Sequence, residues 1–389
     1  MKDERPDVIH KGHEAMKKYL VLLGIVVAFF WGGSVLAAAQ TEVTGGFHVD
    51  SWTSDEDDSG TQFHVPVMIT SANGPFSVEL LGAYVYTRVN PSGASSRSLS
   101  AFSDTKLNLA YRIIDQFTFD VLLGLGFSLP TGKTDLKEDD FVLFVPPDLF
   151  SITTFGEGLN INPTLTVSHE WDQWVAGFGM GYTWRGEYDY SEVIEDYDPG
   201  DMITLTGEVG YDFTAQWFGK LYGQYVTYGK DTVDGDDFYE EGDVRLIGAG
   251  LSYDRTAWSL AFSLAAIFRD KSRVIEGTRL PTEERNSHGD EWISKVSYRY
   301  LKDEATTYRT SLELILLQEN DYPSTSEFYI GKRQKVTLGA GLDKILREDL
   351  KASFDVSGFC MRDDKNWYHP DDDLRFRGFS LSAYLTRSF

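Results

Sequence analysis

The stretch Phe117–Gly132 reads FTFDVLLGLGFSLPTG. Apolar side chains occupy every second position: Phe117, Phe119, Val121, Leu123, Leu125, Phe127 and Leu129. Between them stand Thr118, Asp120, Leu122, Gly124, Gly126 and Ser128. A helix would scatter these residues around its circumference. In an extended strand, successive side chains point to opposite faces, which gives one continuous greasy face and one small, polar face. The segment is too short to cross a bilayer as a helix, and Asp120 interrupts it.

The same period of two recurs along the chain. Leu107, Leu109, Tyr111 and Ile113 alternate with Lys106, Asn108, Ala110 and Arg112. Trp174, Ala176, Phe178, Met180, Tyr182 and Trp184 alternate with Val175, three glycines, Thr183 and Arg185. Trp258, Leu260, Phe262 and Leu264 alternate with Ser259, Ala261 and Ser263, and Val336, Leu338, Ala340 and Leu342 with Lys335, Thr337, Gly339 and Asp343. The connections also alternate. Short ones such as Ala72–Pro75, Asp172-Gln173 and Asp254–Thr256 are followed by long ones such as Asn90–Ser103, Lys133–Gly158 and Asp270–Gly289.

Short turns at one end and long loops at the other predict an all-β fold: an antiparallel transmembrane β-barrel with turns in the periplasm and loops outside the cell. The pattern counts to about sixteen strands, or fourteen if the N-terminal hairpin, about Val43–Thr70, forms a plug instead of wall. One face would meet lipid and the other a wet lumen. Closure pairs every backbone group, as a bilayer requires. Aromatics near the strand ends, among them Tyr84, Trp171, Trp174, Trp217, Trp258, Trp292 and Tyr300, suit interfacial girdles. A soluble β-sandwich also alternates, but it does not separate long loops from tight turns in this way.

The N-terminus carries one apolar run, Tyr19–Ala39, preceded by Lys17 and Lys18 and ending in three alanines. That reads as a signal peptide over residues 1–39, with Met16 an alternative start, and leaves residues 40–389 as a single barrel domain. The competing reading is a single membrane anchor. The chain stops inside a strand, FSLSAYLTRSF, with Leu381, Leu385 and Phe389 on its apolar register. This resembles the C-terminal signature by which outer-membrane barrels are recognised, and it implies the barrel-assembly machinery as a partner.

The 389 residues carry a net charge of -24 and one cysteine. Such acidity argues against nucleic acid as a partner, and Cys360 alone excludes a disulfide framework or a cysteine zinc site. No metal or other cofactor is expected. The mature histidines are His48, His64, His169, His288 and His369. His169 has Ser168 and Glu170 beside it, but neighbours in a strand face opposite ways, so no Ser-His-acid set forms there and no enzyme is expected.

The inward register predicts charges of both signs, of which Arg185, Glu187, Arg245, Arg269, Lys295, Arg299, Arg309 and Glu313 are the candidate pore-lining residues. Charges there need water or a partner. They either set selectivity or brace the wall, and the cluster Lys295, Arg299, Arg309 and Glu313 on adjacent strands is the candidate constriction. Acidic runs in the loops, DEDD at Asp55–Asp58, KEDD at Lys137–Asp140, DGDDFYEEGD at Asp234–Asp243 and DDD at Asp371–Asp373, predict a mouth that favours cations; a solvated face is the plainer reading of these runs, and lipopolysaccharide bridged by divalent cations the alternative. The longest loop, Lys133–Gly158, contains FVLFVPPDLF. It could fold into the lumen, seat an apolar solute, or pack on the surface.

Ser103–Gly132 reads SDTKLNLAYRIIDQFTFDVLLGLGFSLPTG. The run D-T-K-L-x-L-x-Y-R, a short turn, and a glycine-rich strand ending L-P-T-G resemble outer-membrane barrels associated with meta-pathway phenol degradation. Those are related in general form to long-chain fatty-acid and hydrocarbon transport barrels. The resemblance covers about thirty residues and implies uptake of small hydrophobic or aromatic compounds. The expected function is therefore a porin-like channel for small solutes in a Gram-negative outer membrane. The alternatives are a channel for hydrophobic compounds and a structural barrel housing a partner protein. The sequence leaves the oligomeric state open.

Overall fold

The computed structural model describes residues 40–389 apart from 115–116, 144, 278 and 366–372. The leader expected over residues 1–39, the turn at Asp115-Gln116, His369 and part of the Asp371–Asp373 run lie outside the described residues.

Seventeen strand segments form one antiparallel sheet that closes on itself. Two of them, Arg97–Phe102 and Thr105–Ile113, both pair with Phe76–Asn90 and are one wall strand broken at Ser103-Asp104. The wall therefore has sixteen strands. The N-terminal hairpin belongs to it: Gln40–Ser54 pairs with Ser59–Asn73 on one side and with the last strand, Leu374–Ser388, on the other. That closure, running from Glu42 opposite Ser388 to Ser54 opposite Phe376, decides for sixteen strands over fourteen.

The strands hold because alternate residues suit two solvents. Leu221, Ile247 and Leu338 are 67%, 63% and 65% exposed on the outer face. In water such residues would drive aggregation, whereas in a bilayer they are already in an apolar medium. On the partner strands, inward positions carry Gly, Ser, Thr or charge, as at Gly248, Lys220 and Thr337.

Both described ends of the chain lie at the short-turn end, since Gln40 pairs with Ala72 and Ser388 with Glu42. There the reversals are tight. Gly74 and Asp172 take the left-handed conformation, with φ of 57° and 50°, and glycine adopts it without a Cβ penalty. An aromatic belt circles this end. Trp174 packs on Tyr211 at 4.6 Å, Trp217 on Tyr253 at 4.6 Å, and Tyr253 on Trp258 at 5.2 Å. A second belt at the other end includes Trp184, Tyr84 against Phe102, and Phe268 against Trp292. Trp174 and Trp184 bound one strand. The ten-residue step between them rises about 33 Å along a strand, and at a tilt of about 40° it covers about 25 Å, the height of a membrane's apolar band.

Above the long-loop end, Tyr197–Asp198, Lys230–Val233, Asp236–Glu240 and Arg273–Val274 form a small four-stranded sheet. The main buried apolar cluster is not between layers of structure. It lies inside the barrel: Trp52, Val89, Met361, Leu374 and Phe376 from the wall meet Leu143, Leu149 and Phe150 from the longest loop.

Candidate functional site

The longest loop turns inward. It leaves the wall after Asp120–Leu129 and rejoins at Asn160–Trp171, with a short 3-10 turn over Glu138–Leu143. Its apolar piece enters the lumen, where Phe150 packs on Trp52 at 6.1 Å and Trp52 edges onto Phe376 at 5.8 Å. Gly60 makes room for this: a Cβ there would overlap both Trp52 and Phe150.

Polar contacts then carry the loop across. Ser151 N–H donates to Asp50 Oδ2 at 3.0 Å, and Gln62 brackets Ile152, accepting its N–H at 2.9 Å and donating to its carbonyl at 2.7 Å. Asp148 reaches Arg333 at 3.1 Å, while Lys335 Nζ donates to the Asp148 carbonyl at 2.5 Å. Arg333 is also paired with Asp363 at 2.7 Å. The strand that carries Arg333, Arg333–Arg347, is seven places round the closed wall from the strand the loop leaves. In a sixteen-strand barrel that is nearly half the circumference, so the loop spans the lumen as a chord and narrows it.

The base of the loop hangs from Asp104, which is 8% exposed. Its carboxylate accepts the N–H of Gly132 at 2.8 Å and of Glu157 at 2.7 Å, and its own N–H donates to the Phe155 carbonyl at 2.9 Å. One side chain thus ties both stems of the loop to the break in the wall.

Facing the chord, the register lines up small and polar residues. Opposite one another run Ser259, Arg299, Arg309, Gly341, Asp355, Ser382, His48 and His64. The next row includes Ser297, Ser311, Gly339, Ser357, Ser380 and Asp50. A cavity of about 450 Å³ opens against this wall.

The charges mostly pair. Arg309 is gripped by Asp355 at 3.0 Å and Asp343 at 3.1 Å. Lys295 faces Glu313 at 3.4 Å, Arg269 faces Glu291 at 3.6 Å, and Lys220 bonds Glu208 at 2.8 Å. Arg299 differs. It stands opposite Arg309 and has no carboxylate partner among the described residues. Arg185 faces in at the loop end, its N–H on Asp201 at 3.1 Å.

Two expected positions move. Arg245 is on the outer register with Ile247 and Leu251, beyond the apolar band, where it pairs with Asp270. Its strand, Val244–Asp254, carries apolar side chains on both faces at Leu246 and Ile247, so the sequence alternation there is ambiguous. Glu187 lies beyond the end of its strand, which stops at Arg185, and it is exposed in the loop. At the C-terminus, Phe379, Leu385 and Phe389 are exposed on the outer face, and Arg387 lies over the Phe389 ring at 4.8 Å while bonding Asp349 at 3.2 Å.

His48, Asp50 and Ser151 converge, yet they do not form a relay. Asp50 Oδ1 at 2.8 Å and Ser151 Oγ at 3.1 Å both meet the same nitrogen, Nε2 of His48. A hydrolytic triad needs the acid on one ring nitrogen and the nucleophile on the other. His48 instead stacks on His64 at 4.7 Å and fastens the loop.

The outer loops are acidic and ordered by aromatic packing. Tyr188, Tyr190 and Tyr197 cluster within 6.5 Å, and the Tyr197 hydroxyl donates to Asp231 at 2.5 Å. Burial pushes the Tyr188 phenol up to about 12. In the long loop Asp270–Gly289, burial, with Arg269 nearby, holds His288 below the usual histidine range. Among the described residues no group of side chains has the arrangement to hold a metal ion.

The family model for the MetA-pathway of phenol degradation matches residues 31–280, more than half of the chain. The chain belongs to this family. Comparison with curated proteins gives no match. Among solved structures it is similar to an anion-selective porin from Comamonas acidovorans, at 12% identity, 90% of this chain, 99% of that one and a TM-score of 0.41. It is also similar to OpdQ of Pseudomonas aeruginosa (10% identity, 90% and 99% covered, TM-score 0.46) and to OccAB1 of Acinetobacter baumannii (10%, 91% and 98%, TM-score 0.45). What the family member described here presents is a closed, lipid-facing barrel of the Gram-negative outer membrane whose lumen is narrowed by an inserted loop.

Proposed function

We propose that the protein is a passive channel for small solutes whose path runs between the inserted loop and the serine- and glycine-rich wall facing it. The observation that carries this is the chord itself: Asp148 reaches Arg333, Phe150 packs on Trp52, and a cavity remains against the serine- and glycine-rich wall. A lumen-spanning loop opposite a charged wall restricts passage by size and charge. The acidic runs at Asp55–Asp58 and Asp234–Asp243 favour cations at the mouth. The inward charges serve mainly to brace the wall, and Arg299, which has no ion-pair partner among the described residues, is free to meet a solute. No catalytic step belongs to this reading, because Asp50 and Ser151 share one nitrogen of His48.

The test is the reversal potential of the purified protein in a planar bilayer under a KCl gradient. Replacing Asp234, Asp236 and Asp237 by Asn lowers cation preference in this reading. An unchanged potential would remove the mouth as its source. In the same reading the outer register of Leu381, Leu385 and Phe389 serves the assembly machinery, and the acidic loops meet lipopolysaccharide.

A second reading, uptake of small aromatic compounds, draws support from the family described as the MetA-pathway of phenol degradation and from the apolar piece inside the lumen.

A further inference from the structure

Where the first and last strands meet, the outward face turns polar near the loop end. Trp52, Val89 and Phe376 point into the apolar cluster of the lumen. Alternation therefore sets Ser51, Thr53, Arg88 and Arg377 on the outside. Arg377 pairs across the closure with Thr53, and Ser51 leads through Thr61 to Arg88. Phe379 and Tyr86 stand one outward step below the two arginines, and Phe379 is 50% exposed. Each arginine thus lies just beyond an aromatic ring, at the level where a bilayer's apolar band gives way to headgroups.

The two arginines stand at nearly one height. From Ser77 at the turn end, paired residues run through Ala110, Gly124 and Thr164 to Gly181, near the loop end of its strand. A row of partners therefore climbs as the chain advances from strand to strand. The row of Arg377 runs through Thr53 and Ser59 to Asn90, two residues beyond Arg88, and the climb offsets most of that step. Three strand spacings of about 4.8 Å put the arginines about 14 Å apart around the wall. Hydroxyls of Ser51, Thr53 and Thr61 lie between them. Arg88 is exposed and bonds neutral groups, Asn90 Oδ1 at 2.9 Å and Ser96 Oγ at 3.4 Å. Arg377 is exposed too and has no carboxylate partner among the described residues. The nearest acidic run turns to backbone instead: Asp55 accepts the N–H of Arg375 at 2.9 Å, and Asp58 that of Ser92 at 2.6 Å.

We propose that this outward face is a docking site for lipopolysaccharide, with one phosphate of its doubly phosphorylated glucosamine headgroup on each of Arg88 and Arg377. A guanidinium meets a phosphate with two parallel N–H donors. A disaccharide with a phosphate at each end matches two cations with hydroxyls between them, whereas a lipid with one phosphate serves only one. The acyl chains then lie over Phe379 and the apolar wall beneath it. The inference deepens the reading that lipopolysaccharide meets the protein, and it gives that contact a direct site, separate from the acidic loops, which need divalent cations as bridges.

Arg88→Gln and Arg377→Gln test it, singly and together. The purified protein in detergent and EDTA is titrated with diphosphoryl lipid A, with monophosphoryl lipid A and phosphatidylglycerol for comparison, and heat-dependent gel migration checks folding. Each single change should weaken diphosphoryl binding about fivefold. Arg88→Lys with Arg377→Lys should keep most of the affinity, and monophosphoryl lipid A should bind the parent more weakly. KCl conductance of the variants should match the parent's, because neither side chain faces the lumen. Parent affinity in the double Gln variant overturns the site. Should that variant not fold, parent affinity in both single variants does the same. Phosphatidylglycerol binding as tightly as diphosphoryl lipid A overturns it too, because the wall then reads charge alone. If the parent binds only when divalent cations replace EDTA, the site falls and the contact of the acidic loops stands. If it binds in neither condition, both fall.

Discussion

Asp104 is the residue on which the lumen's geometry depends most. Its carboxylate is buried and satisfies one N–H on each stem of the loop, Gly132 and Glu157. Stranding two half-buried donors costs about 1–3 kcal/mol in total. Asp104→Ala therefore frees the loop while the wall strands persist. Limited trypsin digestion of the folded barrel should cut at Lys133 and Lys137 far faster than in the parent, and unchanged cutting would show that the loop is held elsewhere. Arg299 and Arg309 make a paired prediction. Arg309 holds two aspartates and Arg299 holds none. Arg299→Gln should shift the reversal potential toward cations without lowering the thermal midpoint, whereas Arg309→Gln should lower the midpoint by leaving Asp343 and Asp355 facing each other. Equal effects of the two changes on stability would contradict the assignment. Neither Asp104 nor Asp50 was legible as a site residue. Apart from His48, two residues from Asp50, their partners lie 28 to 330 residues away along the chain, and no local spacing encodes such contacts.

At the scale of the element, the strands were readable because a bilayer and a lumen impose opposite chemistry on alternate residues. The reading weakened where the two faces resemble each other, as at Leu246 and Ile247, and Arg245 fell on the wrong side there. The loop Lys133–Gly158 was readable as apolar but not as inserted, since FVLFVPPDLF would pack equally well on a surface. What fixes it inside is Gly60, where any Cβ would strike Trp52 and Phe150. Deleting 138–149 should raise single-channel conductance several-fold in a barrel that keeps its heat-dependent migration. Unchanged conductance would mean that the chord does not set the bore. The loop over Asp270–Gly289 carries a pH effect. Burial lowers the His288 pKa below its unfolded value of 6.5, so the unfolded loop binds a proton that the packed loop refuses. The packing contribution is complete above pH 6.5 and diminishes as pH falls below it. Protease cutting in this loop should rise between pH 7.5 and 5, and His288→Gln should abolish that rise.

For the whole molecule, the barrel is a closed ring without edges, and that closure depends on the first and last strands meeting over thirteen residue pairs. The sequence already indicated a barrel of about sixteen strands with tight turns at one end and long loops at the other. The choice between sixteen and fourteen needed the pairing itself, because a plug hairpin and a wall hairpin share the same alternation. The acidity of the chain, -24 overall, is concentrated in runs that lie in the loops, where it faces water and acts on solutes before they reach the chord. The measurement that tests the central claim most directly is single-channel conductance of the purified protein in a planar lipid bilayer. The account predicts discrete, stable steps that favour potassium over chloride. Silence from protein shown to be folded by its gel migration would contradict it, because a barrel narrowed by one loop beside a polar cavity must let ions through.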